Sequence, residues 1–159
     1  MLAGGRLGWC VGTVAAIAVL AGAAACTREQ RFVPYASVKL IMAEVLEPAA
    51  DVYWAAVGSV SDEKGVTEHA PASDSAWAAV RRSATVIAET GNLLLIDPRM
   101  RDRREWVALS RALVEVGARA RDAAEARDAT RVFDVGAEVY QACVNCHSKY
   151  LIPALDATK

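Results

Sequence analysis

Cys143-Val144-Asn145-Cys146-His147 is the segment whose residue types and spacing best fit chemistry. On a helix these two thiols and the imidazole occupy positions i, i+3 and i+4 and share a face. Thiols at that separation reach vinyl groups on neighbouring pyrroles, and an adjacent imidazole swings under the iron. The arrangement suits covalent attachment of one haem c at Cys143 and Cys146, with His147 as proximal iron ligand. Other readings of the same residues carry less. A thioredoxin-like pair needs a βαβ setting, which the pattern lacks. A zinc site normally needs four ligands, and only His69, in a polar stretch, and carboxylates remain to complete one. A plain structural disulfide in an exported protein stays open.

The elements that must position these residues read as helices. Ala is abundant, aromatics are only 6% of the 159 residues, and no useful β-alternation or internal repeat is present. Four segments carry apolar residues at spacings of three and four. The first runs from about Ser37 to Val57, with Val38, Ile41, Met42, Val45, Leu46, Ala49, Val52 and Tyr53 on one side and Ser37 as N-cap. Pro48 lies inside it and is expected to kink the helix or start a second one. Gly58 to Pro71 is polar and reads as a loop. The second helix runs from about Ser73 to Leu95, with Trp77, Val80, Ala84, Ile87, Gly91 and Leu94 as its seam, and Asp97-Pro98 follows its end. The third runs from about Asp102 to Ala126 through Trp106, Leu109, Leu113, Val116, Ala120 and Ala123. The fourth starts near Asp128 or Ala129 and runs into the Cys-x-x-Cys-His, with Phe133, Gly136, Tyr140 and Cys143 predicted to line its seam. The expected architecture is all-α, an antiparallel four-helix bundle over residues 37–153, followed by a short tail, 154–159.

Ahead of the bundle, Met1 to Arg6 is slightly positive, Leu7 to Leu20 is apolar and uncharged, and Ala21 to Ala25 is a run of small residues before Cys26. That order is a cleavable secretory signal over residues 1–25, with 26–36 as a linker. An uncleaved membrane span is the rival reading, disfavoured by the Gly and Ala content. The run Leu20 to Cys26 resembles a bacterial lipobox, although Ala23 stands where a Leu is usual. Lipidation of Cys26 and ordinary cleavage after Ala23 or Ala25 therefore both stay open. Either route leaves the domain outside the cytoplasm, in the periplasm of a bacterium, touching a membrane only through the signal or a lipid on Cys26.

The formal net charge is −1, which gives no basic patch for nucleic acid. The run Arg99 to Arg104 reads as a solvated turn and helix start, in preference to a docking patch for an acidic redox partner. No second cofactor motif and no nucleophile constellation points to an enzyme.

A four-helix pattern with Cys-x-x-Cys-His near the C-terminus resembles the cytochrome c-prime class of bacterial periplasmic cytochromes. The resemblance covers roughly Ser37 to Tyr150. It implies thioether links at Cys143 and Cys146, proximal ligation by His147, a haem lodged within the bundle, and a homodimer through the first two helices. Members of that class either leave the sixth iron position open or fill it with a Met from the first helix. Met42 is the matching residue here, on the apolar face of the first helix, whereas Met100 lies in a charged turn. Tyr140 and Gly136 extend the motif's face backwards, and Gly136 would admit either a macrocycle or a close helix contact. Lys39 and Lys149 are candidates for a haem propionate or, more plainly, solvated lysines.

Two functions follow. With Met42 as distal ligand the protein is a one-electron carrier; with the position open it binds nitric oxide or carbon monoxide. A structural lipoprotein with a disulfide and no haem is the third reading.

Overall fold

The computed structural model describes residues 32–152. The expected signal, Cys26, residues 26–31 of the linker and the 154–159 tail lie outside them. The described chain is mostly helical, with one small two-stranded sheet.

Helix α1 is a continuous stretch of three runs: Val38–Ile41, a π-helical turn Met42–Leu46, and Glu47–Trp54. Ser37 caps it, its Oγ accepting from the Leu40 N–H at 3.2 Å. The break expected at Pro48 takes the form of the π turn. A proline ring crowds the carbonyl four residues before it and offers no N–H. Just before Pro48 the Glu47 N–H reaches back five residues to the Met42 carbonyl, and the wider turn absorbs the misfit without ending the helix.

The stretch read as a loop is instead a hairpin, β1 (Gly58–Asp62) paired antiparallel with β2 (Gly65–His69). Its turn is Glu63-Lys64. The Asp62 carboxylate accepts from the Lys64 N–H at 2.8 Å, and Gly65 takes φ 123°, a region open to glycine at little cost. All strand residues but Gly58 are exposed. With neither face buried, no alternation marks these strands in the sequence.

Helix α2 (Asp74–Leu94) is capped by Ser73 and α4 (Ala129–Tyr150) by Asp128. Helix α3 (Glu105–Glu125) starts on Asp102, whose Oδ1 takes the N–H groups of Arg104, Glu105 and Trp106. At the α3–α4 turn, Arg127 adopts φ 55°; its N–H bonds the Ala124 carbonyl and that of Asp128 the Ala123 carbonyl. This satisfies the last carbonyls of α3 and lets α4 begin at once. The Arg127–Asp74 and Arg81–Glu125 ion pairs join the start of α2 to the end of α3, and Lys149–Glu105 joins the end of α4 to the start of α3. Consecutive helices from α2 onward are therefore antiparallel.

The α2–α3 seam is the tightest. A Cβ on Gly117 would stand 2.5 Å from the Ala88 nitrogen, and one on Gly91 2.6 Å from the Ser110 carbonyl. Val80, Ala84, Ile87 and Leu94 meet Trp106, Leu113, Val116 and Ala120 there, all buried as the spacing predicts. The predicted seam of α4 needs correction. Phe133 and Tyr140 are 64% and 62% exposed, and the buried face is Val132, Val135, Gly136 and Val139. The helix carries apolar residues on two adjoining faces, so periodicity alone fits either, and packing selects the valine face. Arg99 is corrected too. It is 8% exposed rather than solvated, and its guanidinium donates to the Ala36 carbonyl at 2.9 Å and the Leu93 carbonyl at 3.1 Å. The carbonyls at the end of α2 lack helical partners and attract a cation.

Candidate functional site

The motif occupies the last two turns of α4. Cys143 and Cys146 are half-buried free thiols, and His147 is exposed. From α1, Met42 opens the π turn and is half-buried against the core. These four residues line one cavity. Leu46, Leu94, Leu109, Ser110, Leu113 and Ala142 complete its wall, so every helix contributes. The cavity measures about 30 Å³, enough for a water or two. A flat macrocycle is therefore admitted only as wall side chains turn aside. Those walls are mostly Leu and Met, apolar and without hydrogen bonds to break.

Fit to a haem is decided by the donor set. Two thiols and an imidazole stand on one helical face, and a thioether sulfur lines the same cavity from another helix. Among the described residues no cluster of three or more His, Cys, Asp or Glu side chains is arranged to hold a metal ion unaided. Paired thiols with an adjacent imidazole are the donors a covalent haem takes, and the residues present fit that group. Burial raises both thiols above their ordinary value, and the neighbouring Cys143 raises Cys146 further. Both are S–H groups at neutral pH, the form whose hydrogen and sulfur together add across a vinyl double bond.

Four residues not singled out for the site by the sequence, Tyr150, Asp102, Trp106 and Glu105, hold the motif in place. The Tyr150 hydroxyl donates to Asp102 Oδ2, and its ring meets Trp106 edge-on at 4.9 Å between centroids. The hydrogen bond from Tyr150 lowers Asp102 from 3.8 to about 2, and the same bond raises Tyr150 from 10.0 to about 12. Lys149 pairs with Glu105 at 2.9 Å. The end of α4 is thereby clamped to the start of α3, next to His147. Asp102 ahead of a helical pattern is a legible N-cap; the reach of Tyr150 to it depends on how two helices pack.

The other candidates do not line the cavity. Lys39 is exposed in the first turn of α1, and the salt bridge to Glu105 engages Lys149. His69 is exposed on β2, its ring beside Gly58. Tyr140 and Gly136 do not line the cavity. They border a second depression of about 380 Å³, open to solvent, with Tyr53, Trp54, Val57, Val132, Phe133 and Ala137. The Trp54 indole N–H donates to the Gly136 carbonyl at 3.0 Å, and a Cβ on Gly136 would lie 3.3 Å from that indole. The close approach at Gly136 is to the Trp54 indole. Tyr53 is fully buried beneath, donating to the Ala120 carbonyl at 3.4 Å, and burial pushes its phenol up to about 12.

No family model matches the chain, and neither does any curated protein or solved structure. Among the described residues no helix is long and apolar enough to cross a membrane.

Proposed function

We propose that this chain is an exported, periplasmic c-type cytochrome that carries one haem in an antiparallel four-helix bundle and transfers single electrons. One observation carries the reading: Met42 of α1 lines the same apolar cavity as Cys143, Cys146 and His147 of α4. The bundle reading draws support from a cavity walled by all four helices and from the ion pairs between their ends.

A haem bound here would supply an iron(II)/iron(III) couple, whose potential Met and His ligation would raise. The chain's own residues would do the rest. Cys143 and Cys146 would hold the group to α4 as thioethers. His147 would ligate the iron, its orientation set by a helix end that Tyr150 and Lys149 tie to α3. Met42, placed by the π turn, would offer a neutral sulfur to the same iron. Leu46, Leu94, Leu109 and Leu113 keep water away and lower the local dielectric.

Two measurements test this. Protein co-expressed with haem-attachment machinery should keep haem stain on a denaturing gel, and an unstained band refutes the central claim. The ferric absorption spectrum should be low-spin with a weak near-infrared methionine–iron band that Met42→Ala removes. A high-spin, five-coordinate spectrum unchanged in Met42→Ala removes Met42 from the iron and makes the protein a binder of nitric oxide or carbon monoxide.

A further inference from the structure

We propose that the end of the molecule bearing His147 is a docking face for a redox partner with an acidic surface. The proposal rests on the haem reading and adds the side on which electrons are exchanged and the charge of the partner.

The argument begins with where the charges lie. The segment 97–105 joins α2 to α3 and carries Arg99, Arg101, Arg103 and Arg104 against Asp97, Asp102 and Glu105. The Tyr150–Asp102 and Lys149–Glu105 contacts place this segment beside the last turn of α4. The Arg99–Ala36 bond brings the start of α1, with Lys39, to the same end. Six cations thus face three carboxylates. Two of these carboxylates are engaged, Asp102 by Tyr150 and three backbone N–H groups, and Glu105 by Lys149. Arg101, Arg103 and Arg104 are exposed, and none is within ion-pair distance of a carboxylate among the described residues.

The hairpin at the opposite end has the reverse sign, exposing Asp62, Glu63 and Glu68 against Lys64. The motif end and the hairpin therefore differ in charge. Such a charge distribution orients an approaching partner before contact and raises the association rate.

Apolar surface completes the face. Val144, Leu151 and Ile152 are exposed on either side of His147. A small apolar patch edged by cations suits a brief encounter, in which charge steers and little area is buried. A partner seated there stands against His147, the proposed iron ligand.

The test compares two substitutions that change net charge equally, Arg103→Glu beside the motif and Lys64→Glu on the hairpin. Holo-protein is first checked by haem stain. Retention on a sulfonate matrix at low salt then reads the patch without electron transfer. The wild type should bind despite a slightly negative net charge; Arg103→Glu should elute earlier and Lys64→Glu close to the wild type. Next, reduced holo-protein is oxidised by ferricyanide, an anion, and by tris(phenanthroline)cobalt(III), a cation. Added salt should slow the first by about tenfold and speed the second. Arg103→Glu should weaken both trends, and Lys64→Glu should leave them. Equal effects of the two substitutions, or rates indifferent to salt, overturn the docking face while leaving the haem reading intact. Absence of haem stain overturns both.

Discussion

Helices α1 and α4 enclose two depressions of different character. At one end Met42, Cys143, Cys146 and His147 line a small cavity of about 30 Å³. At the other, Trp54, Phe133, Gly136 and Tyr140 border an open groove of about 380 Å³. The larger space is the poorer candidate for chemistry. Its walls are rings and small residues with no thiol, imidazole or thioether, and its one buried polar group, the Tyr53 hydroxyl, already donates to Ala120. The small cavity brings together two thiols, an imidazole and a thioether. Donor identity, rather than volume, sets it apart, because a missing ligand atom cannot be supplied by space.

The contrast can be broken most directly by the thiols. Replacing both Cys143 and Cys146 by Ala should abolish covalent haem stain, while Tyr140→Ala in the groove should retain it. Loss of stain in Tyr140→Ala would show that the groove takes part in attachment.

Packing gives the next largest difference. Leu113 is buried in the cavity wall, so Leu113→Ala should cost about 3 kcal/mol of unfolding free energy. Tyr140 is 62% exposed, and Tyr140→Ala should cost less than about 1 kcal/mol. Urea unfolding of the two variants measures this, and equal costs would mean that the groove is packed as tightly as the cavity.

The clamp beside the small cavity is pH-sensitive in a defined direction. Asp102 falls from 3.8 to about 2 through its bond from Tyr150, so its contribution is full above 3.8 and is lost as pH drops toward 2. Tyr150 rises from 10.0 to about 12 through the same bond, so its contribution is full below 10.0 and is lost as pH climbs toward 12. The stability advantage of the wild type over Tyr150→Phe should be level between those limits and shrink beyond each. An advantage that does not vary with pH would show that the ring contact with Trp106, and not the hydrogen bond, holds the helix end.

A smaller effect concerns the groove alone. Trp54→Phe removes the indole N–H that reaches the Gly136 carbonyl and should cost about 1 kcal/mol. The haem stain and the spectrum should be unchanged, and a spectral shift would tie the two depressions together.

Much of this was legible in the residues. Caps at Ser37, Ser73 and Asp128 stand within a residue of their expected places, because a side-chain oxygen beside a helical pattern acts locally. Seams of α2 and α3 were read correctly because their apolar residues occupy one stripe each. The hairpin leaves no alternation in the sequence because it buries neither face. The α4 seam was misassigned because Val132, Phe133, Val139 and Tyr140 offer two adjoining stripes, and α3 packs against only one.

By itself the sequence determined the helical content, the helix ends, and the single helical face shared by Cys143, Cys146 and His147. Each depends on neighbours within about one turn. Only the tertiary structure decided that Met42 meets that face across one cavity, that Trp54 fills the space beside Gly136, and that Tyr150 fastens the motif to Asp102. Those contacts join residues far apart in the chain, and their geometry depends on how the helices pack.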